Sequence, residues 1–352
     1  MFETEFTVFS CYALLLLADS WLAYKTTLVS LLGIYFLSFM QLCFRSGRPF
    51  WDVSTISSNN QCKFDFSGPS QAAFMMTFFW PYVIFMFGFK YYKSPKVWLN
   101  IILFALLVCA WVEVYFYTVI NGLDYIYQVF IGQLVGFFYL VAMLVFDNEI
   151  HKYTLRAGFS MRSSRARKFY LFFFLIALFV IVVIFYYSFT ATWTMPQNWI
   201  VNANNYRDPI CEKKFQKEAD NQIGLAQTYT KSSVLFVLIG MIFGWPYAMH
   251  HFSALQWLNT PLWKRFIRMV LGVASAFGIN YFFQWCVEGV NDLATKYFFG
   301  CALPGFLSAY WVFGFFPIIC KWMGLVQKEE EYAKQFPDVM AQVGANDKLN
   351  RS

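Results

Sequence analysis

The stretch TTLVSLLGIYFLSFMQLCFRSGRP, residues 26–49, contains a long apolar run that is followed at once by two arginines and a proline. The run from 26 to 44 is close to the roughly 20 residues that an α-helix needs to cross a bilayer. Arg45, Arg48 and Pro49 mark its end, because charged side chains and proline are costly inside a membrane helix. The sequence therefore predicts a transmembrane helix over 26–44 and a loop that begins at Arg45.

Similar apolar runs recur along the whole chain. Of its 352 residues, 59% are hydrophobic and 13% are charged, whereas about half of a soluble domain is apolar and about a quarter is charged. We expect an all-α, polytopic membrane bundle over 1–323 and a cytosolic tail over 324–352. Eight spans are predicted, at about 26–44, 71–89, 98–119, 126–146, 169–190, 232–249, 266–287 and 297–320.

The residues before the first span are also apolar. No Gly or Pro marks a hairpin between 9–24 and the next helix, so we predict an interfacial helix lying on the membrane over 9–24. A ninth span is the alternative.

The Lys and Arg residues of the predicted loops indicate the orientation in the membrane. Of these 27 residues, eighteen lie on one face and nine on the other. Basic residues are concentrated on the cytosolic side of membrane proteins, so the first face, which includes both termini, is predicted to be cytosolic. Basic loops beside anionic lipid then explain the net charge of +7 without nucleic acid. We expect an integral protein of an endomembrane such as the endoplasmic reticulum, or of the plasma membrane.

The cysteine and histidine patterns predict no metal site. The eight cysteines include no CxxC pair. His250 and His251 have no Cys, Asp or Glu cluster nearby and are interpreted as solvated interfacial residues. Cys62 and Cys211 lie well inside the two largest exoplasmic loops, where an oxidising lumen preserves disulfides. We therefore predict a disulfide between Cys62 and Cys211.

Three short motifs follow one another at the ends of the predicted spans: QLCFRSGRP at 41–49, PSQA at 69–72 and YTVINGLDYIYQVFIG at 117–132. Their order and their position at helix ends on one face resemble the motifs of the type 2 phosphatidic acid phosphatase superfamily, which includes glucose-6-phosphatase. The resemblance implies a phosphatase-like core over about 26–190. Additional helices, over about 232–323, are similar to those of the longer members.

The chemically important residues of that family are replaced at the matching positions. The resemblance implies a Lys at Gln41, a His at Ala72, a Ser-Arg pair at Tyr117-Thr118, a nucleophilic His at Asp124 and an orienting Asp at Gln128. Such groups hold the phosphate, attack phosphorus and protonate the leaving oxygen. We therefore interpret Arg48, Ser70, Gln71, Asp124 and Gln128 as a vestigial phosphate pocket, with no catalytic residue and no cofactor.

The positions of the histidines lead to the same conclusion without an alignment. His151, His250 and His251 are the three histidines of the chain, and all lie in predicted cytosolic loops, away from the exoplasmic pocket. We expect a catalytically inactive relative that serves as a structural or lipid-binding subunit of a membrane assembly. Its expected partners are membrane lipids and membrane proteins. Arg48 is expected at the membrane surface, paired with Asp124 or with an anionic headgroup.

Two other functions remain open from the sequence. An active lipid or sphingoid-base phosphate phosphatase would need an unusual nucleophile such as Asp124, whose negative charge repels phosphate. A transporter or lipid-handling protein would need broken helices, for which GWPY at 244–247 and LPGF at 303–306 are the signals. Glu113, inside the third span, fits either an ion path or a structural partner such as Arg45, Arg48 or a tyrosine hydroxyl.

Overall fold

The computed structural model describes residues 12, 20–53, 66–86, 97–150, 196, 198–199, 202, 223–251, 260–287, 289–290 and 293–326. This part of the chain is mostly helical, and its extended pairing is limited to one isolated bridge between Ser46 and Gly68. The helices are α1 Ser20–Phe44, α2 Pro49–Asp52, α3 Gln71–Ile84, α4 Val97–Ile120, α5 Ile126–Val145, α6 Ile223–His251, α7 Leu262–Cys286, α8 Leu293–Tyr297, α9 Leu303–Tyr310 and α10 Phe316–Trp322. Two π-helical turns, Phe298–Ala302 and Trp311–Phe315, connect α8 to α9 and α9 to α10.

Several of these helices are long and apolar enough to cross a membrane. Within the described residues there are four, namely Tyr24–Phe44, Ile126–Val145, Leu262–Cys286 and Thr295–Trp322. The predicted helical class is confirmed to this extent, and the chain has the character of a membrane protein. The predicted spans over 71–89, 98–119 and 232–249 overlap α3, α4 and α6. The span over 169–190 lies outside the described residues, so the full set of eight stays a prediction.

Helix α1 begins earlier than the sequence pattern indicates. It starts at Ser20, so residues 20–24 of the predicted interfacial helix are continuous with the first span. The helix continues here because neither Gly nor Pro interrupts it. Lys25, which the charge pattern places in a cytosolic loop, lies within α1 and is 0% exposed. The rest of 9–24, apart from Tyr12, lies outside the described residues.

The described residues belong to two compact units. The motif unit contains 29–53, 66–86, 97–147, 196, 198–199, 202 and 223–232. The C-terminal unit contains 12, 20–28, 148–150, 233–251, 260–287, 289–290 and 293–326. In the motif unit, α3 packs against both α4 and α5, and in the C-terminal unit α7 packs against α9 and the two π-helical turns.

Two glycines of α5 allow it to approach α3 closely. A Cβ atom on Gly132 would lie 2.6 Å from the carbonyl oxygen of Ser70, and a Cβ atom on Gly136 would lie 2.9 Å from that of Phe74. The spacing of four residues places both glycines on one side of α5. Small residues at this spacing are typical of tightly packed membrane helices. The two helices therefore meet at main-chain distance, close to the start of α3.

The C-terminal unit contains a second pair of this kind. Gly240 and Gly244 lie four residues apart on α6, and a Cβ atom on Gly240 would overlap the carbonyl oxygen of Phe306. A Cβ atom on Gly244 would lie 3.0 Å from the nitrogen of Gly314. Close helix packing through glycine therefore occurs separately inside each unit.

Candidate functional site

The loops that carry the three motifs meet at one end of the motif unit. The Gln41 side chain, near the end of α1, donates a hydrogen bond to the carbonyl oxygen of Pro69 at 2.7 Å. The backbone nitrogen of Ser70 donates to the carbonyl oxygen of Gln128 at 3.0 Å. The end of α1 is thus joined to the start of α3, and the start of α3 to the first turn of α5.

A glycine turn at the end of α4 orients the third motif. Gly122 has φ 61°, a left-handed conformation that glycine adopts without steric cost. The backbone nitrogen of Leu123 donates back to the carbonyl oxygen of Thr118 at 2.9 Å, as in the Schellman motif that ends many helices. The chain therefore reverses here and presents the Leu123 carbonyl and the Asp124 carboxylate to Arg48.

Arg48, Asp124 and Ser70 form a buried network. Arg48 Nη1 lies 3.3 Å from Asp124 Oδ1 and donates a hydrogen bond to the carbonyl oxygen of Leu123 at 2.9 Å. The Ser70 hydroxyl donates to Asp124 Oδ2 at 2.6 Å. The exposed fractions are 3% for Arg48, 6% for Asp124 and 0% for Ser70. An unpaired charge at such burial carries a large desolvation cost, and the pairing of the two opposite charges offsets part of that cost.

Gln128 is the centre of a second buried network. Its Oε1 accepts hydrogen bonds from the backbone nitrogen of Tyr125 and from the Ser67 hydroxyl, both at 2.7 Å. A backbone N–H only donates, so the atom facing Tyr125 is the amide oxygen. The Nε2 group then donates to Ser46 Oγ at 2.6 Å and to the carbonyl oxygen of Gly47 at 2.9 Å. Gln128 therefore links the first motif, through Ser46 and Gly47, and the residues just before the second motif, through Ser67, to the start of α5.

Two further glutamines line the same region. Gln41 is 1% exposed and places a neutral amide where the resembled family has a lysine. Gln71 is also buried, as the first residue of α3. Neither amide adds a positive charge, so Arg48 is the charged donor of the described network.

Asp52, at the end of α2, fixes the outer edge of the site. Its carboxylate accepts hydrogen bonds from the Tyr125 hydroxyl at 2.9 Å and from the indole nitrogen of Trp199. The Asn202 amide donates to the carbonyl oxygen of Trp51 at 2.9 Å. Partial burial raises the pKa of Tyr125 above its usual range, and the hydrogen bond to the Asp52 carboxylate raises it further. The phenol therefore stays protonated and keeps donating to Asp52.

The residues predicted as a vestigial pocket lie together in the structure. Arg48, Ser70 and Asp124 share one network, Gln128 is bonded to the Ser70 backbone, and Gln71 directly follows Ser70. The predicted disulfide between Cys62 and Cys211 lies outside the described residues.

The sequence analysis missed several residues that complete the site. Ser46 and Gly47 bind Gln128, but isolated serines and glycines in loops carry no distinctive pattern. Gly122 had a usable signal, because a glycine directly after an apolar helical run is typical of a helix C-terminus.

The site contains hydrogen-bonding groups and one ion pair, but no histidine. The three histidines, at 151, 250 and 251, lie outside the sequence ranges of the motif unit. Among the described residues, no group of three or more His, Cys, Asp or Glu side chains could hold a metal ion. The arrangement is thus suited to holding helix ends together and offers no nitrogen nucleophile for phosphoryl transfer.

The comparisons with known proteins add no relative. No protein-family model, curated protein or solved structure matches the chain. The resemblance to the type 2 phosphatidic acid phosphatases therefore depends on the three sequence motifs alone.

Proposed function

We propose that this protein is a catalytically inactive, polytopic relative of the type 2 phosphatidic acid phosphatases that acts as a structural subunit of a membrane assembly. The observation that carries the proposal is the buried ion pair between Arg48 and Asp124, at 3.3 Å. In the resembled family, the matching positions hold a phosphate-binding arginine and a nucleophilic histidine. Here the two side chains bind each other, and the positive charge is already neutralised.

The charges around Arg48 oppose phosphate binding. A phosphate that reached Arg48 would lie beside the Asp124 carboxylate, and the like charges would repel. Gln41 offers no compensating charge, and the Ser70 hydroxyl already donates to Asp124. These three features support a structural use of the fold over hydrolysis.

The described helices give little support to a transporter. Helix α6 runs from Ile223 to His251 without a break at GWPY. The LPGF segment begins α9 between two π-helical turns. Transporters that use broken helices have them in pairs, whereas the irregular stretch at LPGF has no matching break at GWPY in α6.

Phosphate release by the purified full-length protein in lipid nanodiscs tests the proposal. The substrates are phosphatidate, sphingosine phosphate and glucose 6-phosphate. We expect equal background rates for the wild type and the variant Asp124→Asn. Turnover by the wild type that disappears in Asp124→Asn would instead show an active phosphatase with an aspartate nucleophile.

A second measurement separates a structural subunit from a lipid-binding one. The variant Arg48→Met/Asp124→Leu removes both charges and leaves no buried charge alone. We expect the anionic lipid that co-purifies with the protein to be unchanged. A clear loss of anionic lipid, with the fold intact, would assign lipid binding to Arg48 in place of a purely structural role.

A further inference from the structure

Glu113 is an exposed acidic side chain in the interior of α4. It forms no hydrogen bond or ion pair with the residues that the structure describes. Arg48, one partner expected from the sequence, binds Asp124 instead. Glu113 is therefore a charged residue of the motif unit whose role the site does not explain.

The side chains around Glu113 form an exposed apolar stripe. The exposed fractions are 47% for Ile102, 60% for Leu106, 56% for Phe116 and 76% for Ile120, and Cys109 is also exposed. Together with Glu113, these residues repeat at alternating spacings of four and three. This is the spacing by which one helix packs along another. We call these six residues the Glu113 face.

The position of Glu113 along α4 makes an uncovered carboxylate costly. Helix α4 overlaps the span predicted from the sequence over 98–119, although its apolar part, Phe104–Ile120, is shorter than the four candidate spans. Glu113 lies about 10 Å from the end at Ile120, inside the predicted span. Its side chain has two methylene groups and is too short to span that distance. A carboxylate among lipid tails is rare, and most such groups bind a partner of opposite charge.

We propose that the Glu113 face binds a transmembrane helix of a second membrane protein, and that this helix carries a lysine or arginine at the depth of Glu113. Charge complementarity selects this occupant. A second copy of the chain, packed symmetrically through this face, would bring two carboxylates together, which is unfavourable. The proposal names a partner surface for the assembly role given above and rests on that role. Its test does not involve the Arg48 site, so the two proposals fail separately.

The experiment uses the full-length protein in phosphatidylcholine nanodiscs. The probe is a synthetic leucine-alanine helix that spans the bilayer and carries one lysine two turns from its outer end. A matched helix has leucine at that position. Energy transfer between labels on the protein and on the helix reports binding. We expect the lysine helix to bind about tenfold more tightly than the leucine helix. Glu113→Gln should remove this difference.

The control moves the carboxylate to another side of α4. Val108 is 43% exposed and lies about 140° around the helix from Glu113. In Glu113→Gln/Val108→Glu, we expect no recovery of lysine-helix binding. Equal binding of both probe helices to the wild type, or full recovery in the control variant, would overturn the proposal. Self-association of the wild type that disappears in Glu113→Gln would overturn it too, because it would assign the face to a second copy.

Discussion

The Arg48 guanidinium and the Asp124 carboxylate depend on each other, so the effect of changing one depends on the other. Arg48→Ala removes the guanidinium that pairs with the buried Asp124 carboxylate, and we expect a loss of about 3–5 kcal/mol in the free energy of unfolding. Arg48→Met/Asp124→Leu should recover most of that loss. Unfolding of the detergent-solubilised variants, arranged as a double-mutant cycle with both single variants, measures the coupling. Additive effects would contradict the burial and pairing seen here.

The side-chain amide of Gln128 accepts hydrogen bonds through its oxygen and donates them through its nitrogen. In Gln128→Glu, a carboxylate oxygen replaces the Nε2 group that donates to Gly47 and Ser46. Two acceptors then face each other in a buried site, so we expect a loss of about 1–3 kcal/mol in the free energy of unfolding. Chemical unfolding of the two proteins at neutral pH provides the comparison. A variant as stable as the wild type would mean that the second network is not formed in the membrane.

The Tyr125 hydroxyl gives a pH-dependent contribution. Its folded-state pKa is raised above the ordinary value of 10.0 by burial and by Asp52, so its stabilising effect is complete below that value and declines as the pH rises above it. At pH 7 we expect Tyr125→Phe to unfold more easily, by about 1 kcal/mol. Thermal unfolding from pH 7 to pH 11 should show the advantage of the wild type shrinking above pH 10. A constant difference would contradict the bond to Asp52.

The sequence was informative about these residues because three short motifs resemble a family pattern. Arg48 keeps the family residue, whereas Asp124 and Gln128 replace it. Arg48, Asp124 and Gln128 were found by matching positions across three motifs, and the structure brings them together. Ser46 was not found, because its hydrogen bond to Gln128 joins segments that are distant in sequence. The pairing of Arg48 with Asp124, in place of a headgroup, depended on the turn at Gly122, which a list of motif residues does not describe.

At the scale of helices, the contact between α3 and α5 depends on glycine. A Cβ atom at Gly132 would meet the Ser70 backbone at 2.6 Å, whereas nothing lies within 4 Å of a Cβ atom at Gly278 of α7. Gly132→Ala should therefore destabilise the protein by about 1–3 kcal/mol. Gly278→Ala should have no adverse effect, because alanine favours the helix. Thermal unfolding of both variants decides the matter, and similar behaviour of the two would contradict the close packing.

Helix limits were predictable where the apolar run ended at a charge or a turn. The first span ends at Phe44 as expected, because Arg45 and Pro49 follow it. Its beginning was not predictable in the same way, because Lys25 is charged but lies buried within α1. A hydropathy pattern treats a lysine as a boundary, whereas here the helix continues through a lysine whose side chain is buried up to the ammonium group.

At the scale of the whole molecule, the predicted orientation places the Arg48 end of the motif unit on the exoplasmic side. Asn204→Ser creates a glycosylation acceptor at Asn202. Asn202 lies between the predicted spans 169–190 and 232–249, in a loop that is also predicted to be exoplasmic. We expect a glycan on this variant in a eukaryotic host. As a control, Lys348→Thr creates an acceptor at Asn346 in the predicted cytosolic tail and should stay unmodified. A glycan on the tail variant alone would show that the orientation is the opposite of the predicted one.

The distance in sequence between the two charges of the site has a consequence for synthesis. Arg48 and Asp124 are separated by 76 positions, so at the usual rate of translation Arg48 emerges roughly 4–15 s before its partner. During this interval the guanidinium lacks the carboxylate that it binds in the folded protein, and we expect it to stay near water or lipid headgroups. A nascent chain that stops before Asp124 keeps that unmatched charge at the membrane. Such a chain is a suitable substrate for the chaperones and proteases that retain incomplete membrane proteins, so we expect formation of the ion pair to mark the completion of the third predicted span.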